Sequence, residues 1–136
     1  MYRDPRTWPV AEDEVQQALA DLWPGVVVQT WPTDRPDEFV LVECDQQRAI
    51  GGVLSEAAMT VEVWSGRAGD NPREVRTLAA LVRDLLAQMP RGDNPITAWT
   101  EETSAYLADE ITGDPRVIIT GSITLKPSVR VEEVSP

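Results

Sequence analysis

The side chains best suited to chemistry are one thiol, Cys44, and three pairs of adjacent carboxylates, at 101–102, 109–110 and 132–133. Neighbouring side chains in a strand or helix point in different directions, so such a pair does not converge on one substrate. Cys44 lies in an apolar alternation, and the chain contains no histidine that would activate it. We therefore interpret the carboxylates as solvated charges and Cys44 as a core thiol. The sequence predicts no catalytic residues.

The sequence also lacks the usual patterns for metals and cofactors. With no histidine and one cysteine, it excludes a Cys/His metal cluster and an intramolecular disulfide. A carboxylate-only Mg²⁺ or Ca²⁺ site remains open. Neither GxxxxGK[ST] nor GxGxxG is present, and we expect no cofactor. The tripeptide Arg91-Gly92-Asp93, which integrins recognise, lies between two prolines after a predicted helix, and turn chemistry accounts for it.

Acidic residues dominate the charge. The 136 residues include 23 acidic and 12 basic side chains, for a formal net charge of −11. This balance argues against a protein that reads a nucleic-acid sequence, which needs a basic face. It would suit a conduit for DNA, because an acidic surface repels phosphate; the alternative is that acidity only maintains solubility. No apolar run approaches the roughly 18 residues of a membrane span, and no apolar signal core predicts secretion.

The strongest local pattern runs from Met59 to Met89 and predicts a strand, a tight loop and a long helix. Apolar side chains alternate from Met59 to Val63, as in a half-buried strand. Asn71 is a suitable N-cap, Pro72 suits the first helical position, and Glu74 completes a capping box. An apolar helical stripe follows, and Pro90 and Gly92 end it. The stripe consists of Val75, Leu78, Val82, Leu85, Leu86 and Met89.

The remaining segments predict one α+β domain over residues 1–127 and a C-terminal tail over 128–136. The predicted order is α-β-β-β-α-β-β, with a mostly antiparallel sheet and both helices packed on one face. The other predicted elements are a helix at 11–23, with Val15, Ala18, Leu19, Leu22 and Trp23 on its apolar face, and strands at 26–31, 39–45, 96–100 and 117–125.

Three connections carry specific expectations. The short link between 26–31 and 39–45 favours an antiparallel pair. Residues 46–58 form either a flexible loop or a hairpin arm with Gly51-Gly52 at its tip. The polar stretch 101–115 is expected to hold a helical turn anchored by three apolar side chains: Tyr106, Leu107 and Ile111.

Several surfaces are candidates for protein contacts. Trp64 lies opposite the Met59/Val61/Val63 face of its strand, and tryptophan is enriched in interface hot spots. On the second helix, Thr77, Ala80, Asp84 and Ala87 recur opposite the stripe, and we call them the small helix face. The loop 66–71 presents Arg67 and Asp70 on a rigid base. The alternatives are that all five tryptophans pack within one monomer and that the helix face is merely solvated.

The stretch from Met59 to Pro127, about half of the chain, resembles the tail terminator proteins of long-tailed bacteriophages, especially those that infect actinobacteria. The resemblance rests on a V-x-V-W strand at Val61–Trp64, an L-A-x-x-V-R helix core at Leu78–Arg83, and a late strand introduced by Pro115-Arg116. It implies an α/β subunit of a hexameric ring at the head–tail junction of the virion, made in the cytoplasm of the host bacterium.

By this resemblance, the ring caps the tail tube, stops its polymerisation and joins the tail to the head connector, while DNA passes through the centre without sequence-specific binding. Six copies at −11 each carry −66, so contacts or charge placement must offset self-repulsion. A ring closes through heterologous contacts, which need two different patches on each subunit. The candidate interface residues are Arg48, Ile50, Val53, Leu54, Trp64, Arg67, Asp70, Thr77, Ala80, Asp84, Ala87 and Tyr106.

Two other functions compete with this prediction. A head–tail connector or tail completion protein would share the size, charge and fold type of a tail terminator. A small regulatory or ligand-binding α+β domain would instead be a monomer or dimer with a pocket between sheet and helices. No set of residues supports an enzyme.

Overall fold

The structure, a computed structural model, describes residues 6–7 and 9–129. It is a single α+β domain in the predicted order, with two helices and a mostly antiparallel five-stranded sheet. The sheet has the strand order β2-β3-β4-β6-β5, and β1 pairs separately with β7. The elements are β1 (Arg6–Thr7), α1 (Ala11–Leu22), β2 (Val27–Val28), β3 (Glu38–Ile50), β4 (Leu54–Ser65), α2 (Arg73–Gln88), a 3₁₀ turn (Met89–Arg91), β5 (Ile96–Tyr106), β6 (Arg116–Leu125) and β7 (Ser128–Val129).

The main core lies between both helices and one face of the sheet, which we call the helix-covered face. All six residues of the predicted α2 stripe are buried in it. From α1, Val15 and Leu19 pack into the same core, and the sheet contributes Val42 and Ile119. The predicted packing of both helices on one face of the sheet is confirmed. It follows from the tendency of an amphipathic helix and a sheet to bury their apolar sides against each other. No helix within the described residues is long and apolar enough to cross a membrane.

The start of α2 also agrees with its sequence signal. The helix is assigned from Arg73, but Pro72 already has helical dihedrals, with φ −67° and ψ −5°. The Asn71 side-chain oxygen accepts a hydrogen bond of 2.9 Å from the Arg73 amide. Asn71 therefore caps the helix as predicted, with the one-residue difference in the boundary that is usual at helix ends.

The prediction of a six-residue antiparallel strand at 26–31 is wrong. Only Val27 and Val28 form β2, and they pair in parallel with Val40 and Leu41 of β3. The segment 29–37 contains two prolines, which donate no backbone hydrogen bond and cannot extend the ladder. This segment instead carries the chain back to the end of the sheet where β2 began, so β3 runs in the same direction as β2.

β5 is longer than predicted. It continues to Tyr106 along β6, with register shifts between Ile96 and Ala98 and between Glu101 and Thr103. The expected linker is therefore wrong as far as Tyr106, but the expected turn is present later in the stretch, where the Gly113 amide donates to the Asp109 carbonyl. An edge strand that is exposed on one side needs few apolar residues, which explains the polar sequence. The expected anchors Tyr106, Leu107 and Ile111 are all exposed.

Residues 46–58 form the hairpin arm, made of the outer parts of β3 and β4. Gly51 and Gly52 turn at its tip with φ values of +57° and +71°, which glycine adopts without strain. A register shift lies between Asp45 and Arg48, and Gln46 within it has a positive φ of 54°. The outer part of β3 is thus a second bulged edge of the sheet, and the flexible-loop alternative does not hold.

Candidate interaction surfaces

Three aromatic rings form a second, smaller core on the opposite, open face of the sheet. Phe39 and Trp64 stack with their ring centroids 5.7 Å apart, and Trp31 meets Trp64 edge-on at 5.0 Å. The guanidinium groups of Arg35 and Arg116 lie over the Trp64 ring at 5.7 and 5.2 Å. Trp64 is therefore only 2% exposed. Its prediction as a contact for a neighbouring subunit is wrong, because the loop before β3 folds over it.

Arg35 connects this aromatic cluster to the loop 66–71. Its Nη2 donates to the Gly66 carbonyl at 2.9 Å, and its Nε lies 3.7 Å from an Asp114 carboxylate oxygen. The other Asp114 oxygen accepts the Ala68 amide at 2.9 Å. Arg35 and Asp114 are both largely buried, so their opposite charges compensate each other in a poorly solvated position.

The same loop holds Arg67 and Asp70 in fixed positions. An Asp70 carboxylate oxygen accepts the Arg67 amide at 2.8 Å. The Arg67 guanidinium donates to the Arg35 carbonyl at 3.1 Å and lies 3.4 Å from the Asp37 carboxylate. Both side chains are exposed on a rigid loop, as expected, but they already have partners within the chain.

Arg116 also joins two carboxylates at this end of the open face. Its Nη1 lies 3.5 Å from Glu62 and 3.7 Å from Asp109. Burial raises the pKa of Glu62; Arg116 opposes this shift and Glu43 adds to it. The pKa of Asp109 is lowered, mainly because the Thr112 amide and hydroxyl donate to its carboxylate. The site therefore contains one carboxylate that resists ionisation and one that favours it.

The small helix face is exposed along its whole length, as the sequence predicts. The Thr77 hydroxyl donates to the Arg73 carbonyl, and Asp84 accepts a hydrogen bond from Gln88, so neither side chain reaches across to another element. Ala80 and Tyr106 line one shallow groove of about 230 Å³ beside this face.

Two arginines fasten that side of α2 to β5. Arg76 lies 5.0 Å from the centre of the Tyr106 ring. Arg83 donates two hydrogen bonds of 2.8 Å to Glu101, which raises the pKa of Arg83 and lowers that of Glu101. The structure thus brings Tyr106 to the small helix face, which the sequence did not indicate.

The hairpin arm displays apolar side chains at its tip. Ile50 is 39% exposed and Val53 is 61% exposed, at either side of the two-glycine turn, while Leu54 is half-buried. Arg48 lies 3.7 Å from Glu56 across the arm, and its side chain is largely exposed. These four predicted interface residues (Arg48, Ile50, Val53, Leu54) lie together, but apart from the small helix face.

Sequence reasoning missed a rigid turn that displays Ile111, which is 93% exposed. Asp109 organises the turn: its carboxylate accepts the Thr112 amide and hydroxyl, and its carbonyl accepts the Gly113 amide. The signal was present, since Asp, Thr and Gly are typical of such a turn. The single isoleucine within it was interpreted as an anchor instead.

A second missed feature is a surface groove between the end of α1 and the first half of α2, which we call the helix groove. Its volume is about 430 Å³. Leu22, predicted on the core face of α1, is exposed near this end, and Leu81 lies outside the α2 stripe. No pattern in the sequence indicated that these helix ends remain uncovered. The groove is lined by Trp23, Glu38, Arg73, Glu74, Thr77, Leu78 and Leu81.

The setting of the Cys44 thiol disfavours the thiolate, which is the nucleophilic form. Cys44 is half-buried, and burial, with a smaller effect of Glu12, raises its pKa to about 12. A thiol of that pKa is almost entirely protonated at neutral pH. Among residues 9–129 no three acidic or cysteine side chains are placed to hold a metal ion.

Comparison with known proteins gives no family assignment: no family model matches the chain, and no curated protein matches it with significant similarity.

Proposed function

We propose that this chain is a structural assembly subunit: a tail terminator of a long-tailed bacteriophage that forms a hexameric ring, caps the tail tube and joins it to the head connector. The observation that carries the proposal is the display of apolar side chains at opposite ends of a rigid sheet. Val53 is exposed at the tip of the hairpin arm, and Ile111 is exposed at the other end on the Asp109 turn. Each of these apolar groups is held on a hydrogen-bonded support, so burying it against a partner would require little reordering of the chain.

The fold of the segment that resembles tail terminators supports the proposal. Residues 59–127 supply most of β4, all of α2, β5 and β6, and so the central part of the sheet with its main helix. The hairpin arm (46–58) continues outward from β4 of this unit, whereas α2 lies wholly within it. The arm and the exposed surface of α2 are two different patches, as the heterologous contacts of a ring require.

The competing ligand-binding function has less support. The space between sheet and helices is filled by fully buried side chains, including Leu19, Leu86 and Ile119. The grooves described above lie on the surface instead. A head–tail connector remains the closest alternative, because it needs the same kinds of contact.

The decisive experiment combines native mass spectrometry with electron microscopy of the chain, alone and with a polymerising cognate tail tube protein. We expect a six-subunit ring that binds tube ends and shortens the tubes. Ile111→Asp should abolish end binding while leaving the fold intact, and Glu110→Asp serves as its neighbouring control. A chain that stays monomeric with tubes present would refute the proposal; a ring that binds a head connector but ignores tubes would favour the connector function.

A further inference from the structure

We infer that the tip of the hairpin arm of one subunit binds in the helix groove of a second copy of this chain. The inference rests on the proposed ring, and it specifies which surfaces close that ring. It begins from two apolar features that one chain cannot bring together.

The tip and the groove lie at opposite ends of the sheet. Glu38, at the beginning of β3, lines the groove, whereas Ile50, at the end of β3, belongs to the tip. β3 has 13 residues, and at roughly 3.3 Å per residue the two ends are about 40 Å apart. The hairpin is paired along this length with β4, so it does not fold back on itself. Only another copy can place a tip in the groove.

The chemistry of the two surfaces is complementary. The tip offers the aliphatic side chains of Ile50 and Val53, and the groove offers walls formed by Trp23, Leu78 and Leu81. Leu81 is 42% exposed in the isolated chain, so it still has apolar surface to bury. Tryptophan is enriched in interface hot spots, so Trp23 is the residue of the groove that should contribute most when the tip covers it.

The charges around both surfaces also match. Next to the tip, the largely exposed Arg48 is only loosely paired with Glu56 at 3.7 Å. Glu38 and Glu74 line the groove, together with Arg73. A docked arm would place Arg48 near these carboxylates and Glu56 near Arg73. Such rim charges set orientation and partner choice more than affinity.

The edges of the sheet favour this side-chain contact over strand addition. Both long edges, the outer part of β3 and all of β5, carry register shifts. Bulges interrupt the regular row of backbone groups that an added strand would pair with. A contact between the tip and the groove is head-to-tail and heterologous, and it closes into a ring when the rotation between copies allows.

Disulfide trapping tests the inference directly. In a Cys44→Ala background, an oxidised mixture of Val53→Cys and Leu81→Cys chains should give a covalent dimer, and the double variant should give a ladder ending at the ring size. Val53→Cys mixed with Ala87→Cys is the matched control, because Ala87 is exposed on the same helix outside the groove. A symmetric tip-to-tip contact would instead link Val53→Cys to itself, which would overturn the inference.

Charge exchange gives a second measurement that does not depend on disulfide geometry. Arg48→Glu should weaken assembly several-fold, as expected for a rim ion pair, and Glu74→Arg in the same chain should restore it. A native ring that gives no mixed disulfide above the Ala87 control and no charge rescue would overturn the inference alone. A native chain that never assembles would overturn the proposed function, and the inference with it.

Discussion

Replacing Trp64 with alanine should destabilise the isolated subunit strongly, because its ring is the centre of the aromatic cluster. A tryptophan buries about 150–250 Å², and at about 25 cal/mol per Å² the loss is about 4–6 kcal/mol. This is an upper bound, because the unfolded chain already buries some of that area. Measured aromatic-to-alanine substitutions in cores cost about 3–5 kcal/mol. We therefore expect a loss of about 4 kcal/mol, a large part of the 5–15 kcal/mol that is typical of a domain.

Two further variants separate the effect of burial from the effect of aromatic stacking. Trp31 belongs to the same cluster but is 53% exposed, so Trp31→Ala should cost about 2 kcal/mol, roughly half as much. Trp64→Phe keeps an aromatic ring for stacking on Phe39 and should cost less than about 2 kcal/mol. The Trp64→Phe change also removes the indole N–H, which makes no hydrogen bond of normal geometry within the described residues. This N–H still favours the charged form of Glu62 and so slightly opposes the rise in the pKa of that carboxyl.

Urea unfolding followed by far-ultraviolet circular dichroism measures these differences, since five tryptophans would confuse a fluorescence signal. The protein should be dilute enough to remain monomeric, because assembly would add to the apparent stability. If Trp64→Ala changed the free energy of unfolding by less than about 1 kcal/mol, or no more than Trp31→Ala, the ring would not be a core residue. The original prediction of Trp64 as a partner contact would then stand.

Four other predictions concern single positions. Gly121→Ala should cost about 1–3 kcal/mol in the same unfolding assay, because an added Cβ would clash with the backbone carbonyl oxygen of Thr100 and would lie 2.5 Å from the Trp99 ring. Cys44 should react slowly with a thiol reagent at pH 8 in the native protein and rapidly in urea, since its pKa of about 12 leaves little thiolate; rapid native labelling would contradict its burial. Folding raises the pKa of Glu62 above its ordinary 4.5, so ionisation of this carboxyl opposes folding. Glu62→Gln should therefore increase the free energy of unfolding at pH 7. This increase should vanish as the pH falls below 4.5. Folding lowers the pKa of Asp109 below its ordinary 3.8, so Asp109→Asn should decrease the free energy of unfolding at pH 7. This decrease should fade as the pH falls through the lowered pKa. If both variants changed the stability in the same direction, the opposite roles of the two carboxyls would be refuted.

The parts of the fold that could be predicted from sequence are those with a local cause. α2 follows from its cap at Asn71, its apolar stripe and its stop at Pro90, all within a few turns of one another. β6 follows from strict alternation between 117 and 125. The direction of β2 could not be found in this way, because it depends on how the segment 29–37 crosses the end of the sheet.

The candidate surfaces show the same limit. The exposure of Ala80 and Ala87 follows from helical periodicity, since they lie opposite the core stripe. Alternation places Trp64 on the face away from the helices. It does not predict that Trp31 and Phe39, which are far from Trp64 in the sequence, cover that face. The exposure of Ile111 could not be predicted, because a single apolar residue in a polar turn shows no periodic pattern. The direction of its side chain depends on how the turn closes.

The bulged edges of the sheet have a consequence for how copies of this protein can associate. Open sheets with straight edges tend to join into fibrils, whose stacked backbone bonds make them nearly irreversible. Here the register shifts in β3 and β5 disfavour that route. Any oligomer should therefore be held by side chains whose ion pairs weaken with salt. Contacts made by side chains can open and form again, so an incorrectly assembled oligomer could be corrected before it becomes permanent.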